Sequence, residues 1–126
     1  MSSQSQHENQ AQRNERFFQS LDKTVSVNRE WIVTAVFYAA LHWMEAYYDN
    51  QHGLHFKSHD ARNQMVRWSR LPISREYLYL YDASRHARYL MHRFTQQEVE
   101  DLINLSYKPV KDFVQNVLHP PPPSTP

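Results

Sequence analysis

The sequence predicts an all-α fold, an up-and-down bundle of four or five helices, and three observations carry that reading. A single glycine, Gly53, serves 126 residues, whereas a sheet protein draws on Gly and Asn-Gly turns between short strands. Cysteine is absent, so no disulfide framework or thiolate metal site can substitute for a packed core. The apolar residues between Trp31 and Tyr48 recur at helical spacing, the main signature of a helix. A chain of this length fits one domain with a modest core.

Taken in order, residues 1–7 are polar and expected to be disordered. A short helix is expected from about Glu8 to Leu21, with Phe17, Phe18 and Leu21 as its apolar face. Asp22 to Asn28 reads as a connection, since Thr24, Val25 and Val27 are β-branched. Asn28 offers an N-cap and Glu30 suits the first-turn dipole. From about Arg29 to Tyr48, Ile32, Val36, Ala39, Ala40, Trp43 and Tyr47 form one stripe, and Val33, Phe37, Leu41, Met44 and Tyr48 fill its neighbour. A helix apolar around most of its girth must be covered on several sides, so this is the central one.

Asp49 to Lys57 is a loop holding the only glycine, and Ser58 caps a helix to about Trp68 with Asp60 in its first turn. Leu71-Pro72 breaks the chain, and Ser74 with Glu76 begins a long helix to about Arg93. Thr95-Gln-Gln-Glu98 is a capping box that opens the last helix. Pro109 lacks a backbone donor, which predicts a kink or short break near Tyr107. The structured domain is therefore expected over residues 8–118, followed by a proline-rich tail over 119–126.

Composition excludes several function classes. Glycine scarcity rules out phosphate-cradling loops and dinucleotide fingerprints. The opening residues hold no apolar signal core, and the eleven-residue run from Trp31 to Leu41 is too short to span a bilayer. A soluble, cytoplasmic protein without a membrane partner is expected. Charge is unevenly placed: residues 57–93 hold eight Lys/Arg against three Asp/Glu, although the whole chain is only +1. A basic middle can face a polyanion, and it can equally be a solvated helix face.

The segment from Tyr81 to His92 concentrates the chemistry. Arg85 and His92 are seven residues apart, close to two helical turns, with Arg88 between them and Tyr89 one turn beyond Arg85. An imidazole titrating near neutrality can take a proton from a ribose 2′-hydroxyl. A guanidinium can hold the phosphate and stabilise transition-state charge. The bland reading is an Arg85–Asp82 pair and an arginine–tyrosine ladder that packs and snorkels, worth about 0.2–0.5 kcal/mol per pair.

Arg85-His86, six intervening residues and His92 resemble the signature of the HEPN superfamily, small helical bundles with many ribonuclease members. Trp31-x5-Phe37-Tyr38-Ala-Ala-Leu41-His42, then Ser58-His59-x2-Arg62, then Tyr81-x3-Arg85-x2-Arg88-Tyr89 are similar in order to a compact HEPN-like group, over roughly residues 8–118. The resemblance implies a homodimer that brings two Arg–His sets into one cleft and cleaves RNA without metal, in a toxin or defence setting. By that resemblance Arg85 and His92 are catalytic, and His86, Arg88, Tyr89, His59 and Arg62 are auxiliary or phosphate-binding. The alternative it leaves open is a non-catalytic module that binds a nucleotide, RNA or a protein partner.

No cofactor is expected. His52, His55 and His59, with Asp60, could hold zinc, but loop histidines without Cys or a close Glu read as polar loop residues, so no metal is expected. His42 reads as a satisfied core histidine. Trp31, Trp43, Trp68 and the tyrosines Tyr77, Tyr79 and Tyr81 read as core or interface.

Overall fold

The computed structural model describes residues 3–123 and is helical throughout, with no strand among the described residues. Its elements are α1 (Gln4–Gln19), α2 (Ser26–His52), α3 (His59–Ser69), α4 (Ser74–Tyr89), α5 (Gln96–Asp101), a π-helical turn (Leu102–Tyr107) and α6 (Lys108–Leu118). The last three run end to end as one rod, so five helical rods make the bundle expected from the sequence. No helix among the described residues is long and apolar enough to cross a membrane.

α1 starts four residues earlier than expected. Ser3 Oγ accepts from Gln6 N–H, and the Gln6 side chain accepts from Ser3 N–H, a capping box that satisfies two end donors reciprocally. Residues 4–7, expected to be disordered, are therefore helical, while residues 1 and 2 lie outside the described range. Only Ala11 and Phe18 of α1 are buried; Phe17 stays half exposed.

α2 is the central helix, longer than expected at both ends. Asn28 does not cap it; its amide donates instead to the Asp22 carbonyl, while the Asp22 carboxylate is taken up by Thr24. At the far end Gly53 adopts φ 62°, a left-handed conformation that favours glycine. The backbone then doubles back, with Leu54 N–H donating to the Tyr48 carbonyl. α1, α4, α5, the π turn and α6 all pack on α2, and Ile32, Phe37, Trp43, Met44 and Tyr48 are completely buried between them.

Two departures shape the end of α4 and the last rod. α4 ends at Tyr89 rather than Arg93: Met91 adopts φ 53° and His92 N–H donates to the His86 carbonyl at 3.2 Å. That is the same reversal as after α2, made by methionine in the place of glycine. In the last rod, Pro109 produces no break. Lys108 N–H bonds the Ile103 carbonyl five residues back, so the widened π turn absorbs the missing proline donor and the axis continues. Trp43 Nε1–H donates to Tyr107 Oη at 3.1 Å, and Tyr107 donates to Glu15 at 2.9 Å, which Lys111 also holds. α1, α2 and α6 are thus tied through one polar chain that is buried at Trp43 and Tyr107 and partly exposed at Glu15 and Lys111.

Candidate functional site

The exposed end of α4 carries the sequence-predicted pair. Tyr79, Asp82 and His86 share one face of α4, and with His92, Glu98 and Asp101 they line a groove of about 420 Å³. His86 Nδ1 lies 2.7 Å from the Asp82 carbonyl. A carbonyl can only accept, so Nδ1 carries a proton, and in the neutral ring the lone pair is then on Nε2. His92 Nε2 lies 3.3 Å from Glu98 Oε2, and the two rings meet edge to face with centroids 6.1 Å apart. The Glu98 carboxyl is held below its ordinary value, chiefly by the Thr95 backbone N–H and less by His92.

Arg85 is exposed beside His86 and stands outside the groove's lining. The expected alignment of Arg85, Tyr89 and His92 along one helical stripe does not hold, because α4 stops three residues short of His92. His92 is placed by the reversal at Met91 and by packing on Phe94, with centroids 4.5 Å apart.

Arg88 turns toward the protein. It donates to Tyr38 Oη at 2.9 Å and to the Ser84 carbonyl and hydroxyl at 3.3 and 3.2 Å. Its guanidinium lies over the Tyr38 and Tyr89 rings, so its work is to pin the end of α4 to α2. Arg62 is likewise internal. It is buried, with Nε 2.6 Å from Glu45 Oε1 and Nη1 3.1 Å from His59 Nδ1. His59 accepts that bond and packs among Phe37, Tyr38 and Tyr81. Burial first, then Arg62 and Arg88, push its pKa below the usual imidazole value.

The loop histidines do not converge on one another. His52 packs near Tyr48 and His59 is bound to Arg62, while His55 joins a set that sequence reasoning missed. His7 of α1, Glu45 of α2 and His55 place donor atoms within 4.8 Å of one another. His7 Nδ1 is 3.0 Å from His42 Nδ1, and burial, then His7 and Arg62, bring the His42 pKa down to about 4. His7 falls in the stretch expected to be disordered, and the capping box at Ser3 and Gln6 is the local signal for its ordered position.

A second groove of about 720 Å³, at the turn between α3 and α4, is lined by Arg67, Arg70 and Arg75 together with Glu76. All three arginines are exposed, and the basic middle of the sequence is displayed here. Tyr79 and Asp82 border both grooves, which are therefore continuous along α4. Among the aromatics, Trp43 and Tyr77 are buried, whereas Trp31, Trp68 and Tyr79 are exposed.

The site and fold together define a small all-helical bundle with a histidine-lined groove beside an arginine-lined one. No family model, curated protein or solved structure matches the chain.

Proposed function

We propose that the chain is a HEPN-like helical module that acts on RNA as a homodimer, by metal-independent cleavage at the exposed end of α4. The observation that carries this reading is the His86–His92 pair, two solvent-facing imidazoles 6.1 Å apart with one tautomer fixed by the Asp82 carbonyl. In the proposed step one imidazole takes the ribose 2′-proton and the 2′-oxygen bonds phosphorus. The 5′-oxygen leaves with a proton from the second imidazole, and a 2′,3′-cyclic phosphate remains. Arg85, exposed one residue before His86, clamps the phosphate.

Two further features support it. Tyr89, Leu90 and Met91 are 68, 58 and 86% exposed in one run beside Arg85 and His92, an apolar edge that a second copy would cover. The arginine groove meets the histidine groove at Tyr79 and Asp82, so a strand lying along α4 would meet positive charge and then the imidazoles.

The test is digestion of mixed-sequence RNA in EDTA by purified protein, with end analysis of the fragments. Cleavage with cyclic phosphate ends is expected, reduced about a hundredfold or more by His92→Ala and by Arg85→Ala, with circular dichroism unchanged. Intact RNA with the folded wild type refutes the nuclease reading. A non-catalytic binding module is the second reading: Asp82, Glu98 and Asp101 put negative charge around the imidazoles, which opposes a scissile phosphate there, while the neighbouring arginine groove can still hold RNA. RNA retained without cleavage would establish it.

A further inference from the structure

We infer that His7, Glu45 and His55 form a binding site for a borderline divalent transition-metal ion such as Zn²⁺, joining α1, α2 and the loop after α2. Three residues from three separate segments, 48 positions apart at the extremes, place one imidazole or carboxylate donor each within 4.8 Å of the others. Two imidazoles and a carboxylate are a donor set that suits Zn²⁺, Co²⁺ or Ni²⁺, with a position left for water.

The surroundings are those of a metal site as well. Ligating groups are held in place by one outer partner each, which fixes ring tautomer and carboxylate orientation. Every member of this trio has such a partner. His42 Nδ1 lies 3.0 Å from His7 Nδ1, Asp49 Oδ1 lies 3.1 Å from His55 Nε2, and Arg62 Nε lies 2.6 Å from Glu45 Oε1. Each of these bonds engages one atom of its residue, so a second ring nitrogen on each histidine and a second carboxylate oxygen on Glu45 remain available to an ion. Glu45 is buried and the two histidines are partly so, so the donors meet at the edge of the core rather than in open solvent. The Arg62 guanidinium, 2.6 Å from Glu45 Oε1, balances the charge of the carboxylate.

This inference is independent of RNA cleavage, which is assayed in chelator. The experiment is calorimetric titration of chelator-treated, dialysed protein with Zn²⁺, paralleled by Co²⁺ absorption spectra and thermal melts. One ion per chain is expected, with tetrahedral or five-coordinate Co²⁺ bands and a raised Tm. His55→Ala, in the loop, and His7→Gln, on α1, should each weaken binding at least tenfold, while the neighbouring His52→Ala should leave it unchanged. Melts in chelator show that each variant is folded. The inference is overturned if the wild type binds no ion, or if His55→Ala and His7→Gln bind as tightly as wild type, which would place the ion on exposed histidines elsewhere.

Discussion

Replacing Arg62 by leucine should be among the most damaging single changes in this protein, and the structure gives the size of the effect. The Arg62 and Glu45 side chains are 8 and 5% exposed, and Nε stands 2.6 Å from Oε1. Removing the guanidinium leaves a carboxylate inside the bundle without its counter-charge, which costs about 3–5 kcal/mol. The bond to His59 Nδ1 is lost too, adding about 1 kcal/mol. Against a total stability on the order of 5–15 kcal/mol, the variant stands near the edge of folding. Glu45→Leu should cost a similar amount by orphaning Arg62. The double variant Arg62→Leu/Glu45→Leu removes both charges and should recover most of the loss, since apolar residues of similar volume replace a buried pair at little cost. Urea denaturation of the four proteins in chelator closes the cycle. Single losses below about 1 kcal/mol, or a double loss equal to the sum of the singles, would refute the assignment of Arg62 as a buried counter-ion.

Part of the pH dependence comes from His59, whose folded pKa is pushed below the usual 6.5 by burial and two arginines, beside His42, brought down to about 4 with the same sign. The unfolded chain then binds the proton first, so stability is complete above about pH 6.5 and falls as pH drops from there through the folded value; urea melts at several pH values should show a flatter profile for His59→Gln between neutrality and pH 5. Gly53 and Met91 make an opposed pair at the two chain reversals. A Cβ at Gly53 would meet nothing within 4 Å, so Gly53→Ala should cost about 1–2 kcal/mol through its φ of 62° alone. Met91→Gly, at φ 53°, should raise stability by about 1 kcal/mol in the same melts; a loss there would mean that the methionine side chain holds the end of α4 by contacts.

Fold class was legible because it rests on local rules. Helical spacing marked α2, and Ser58 and the Thr95–Glu98 box marked two helix starts, whereas the sequence pattern puts Gly53 in a loop from Asp49 although it caps α2 itself. Where the sequence was silent, the determinant was distant in the chain or lacked its usual residue. The end of α4 carries no glycine or proline after Tyr89, so the reversal fell on Met91 and went unseen. Pro109 was visible, but its consequence depended on whether the preceding turn could widen into a π helix. The start of α1 was written in Ser3 and Gln6, yet its apolar face is too sparse to stand out among polar residues. At the site, Arg85, His86 and His92 were visible by spacing, while Arg62 and Arg88 looked available to ligand until their partners, Glu45 and Tyr38, were placed on α2. The cluster around His7 depends on contacts across 35 and more residues, which no periodicity records.

Tyr38, His42 and Glu45 of α2 are spaced i, i+4 and i+7, so they form a single polar stripe on a helix otherwise apolar around its girth. Each takes a partner from a different element: Arg88 of α4 on Tyr38, His7 of α1 on His42, and Arg62 of α3 on Glu45. An apolar helix surrounded by apolar neighbours can rotate or slide at little cost, because hydrophobic contact is non-directional. Three directional polar contacts on one stripe remove that freedom, as a single buried polar residue fixes register in a coiled coil. The same stripe then fixes where the neighbouring helices present their outward residues. Arg88 on Tyr38 sets the end of α4, and with it Arg85, His86 and the turn that carries His92. His7 on His42 brings α1 beside Glu45, where His55 also arrives. The residues that resemble a ligand-binding signature in the sequence are in large part those that hold the bundle in register, and the groups left free to act lie one step beyond them.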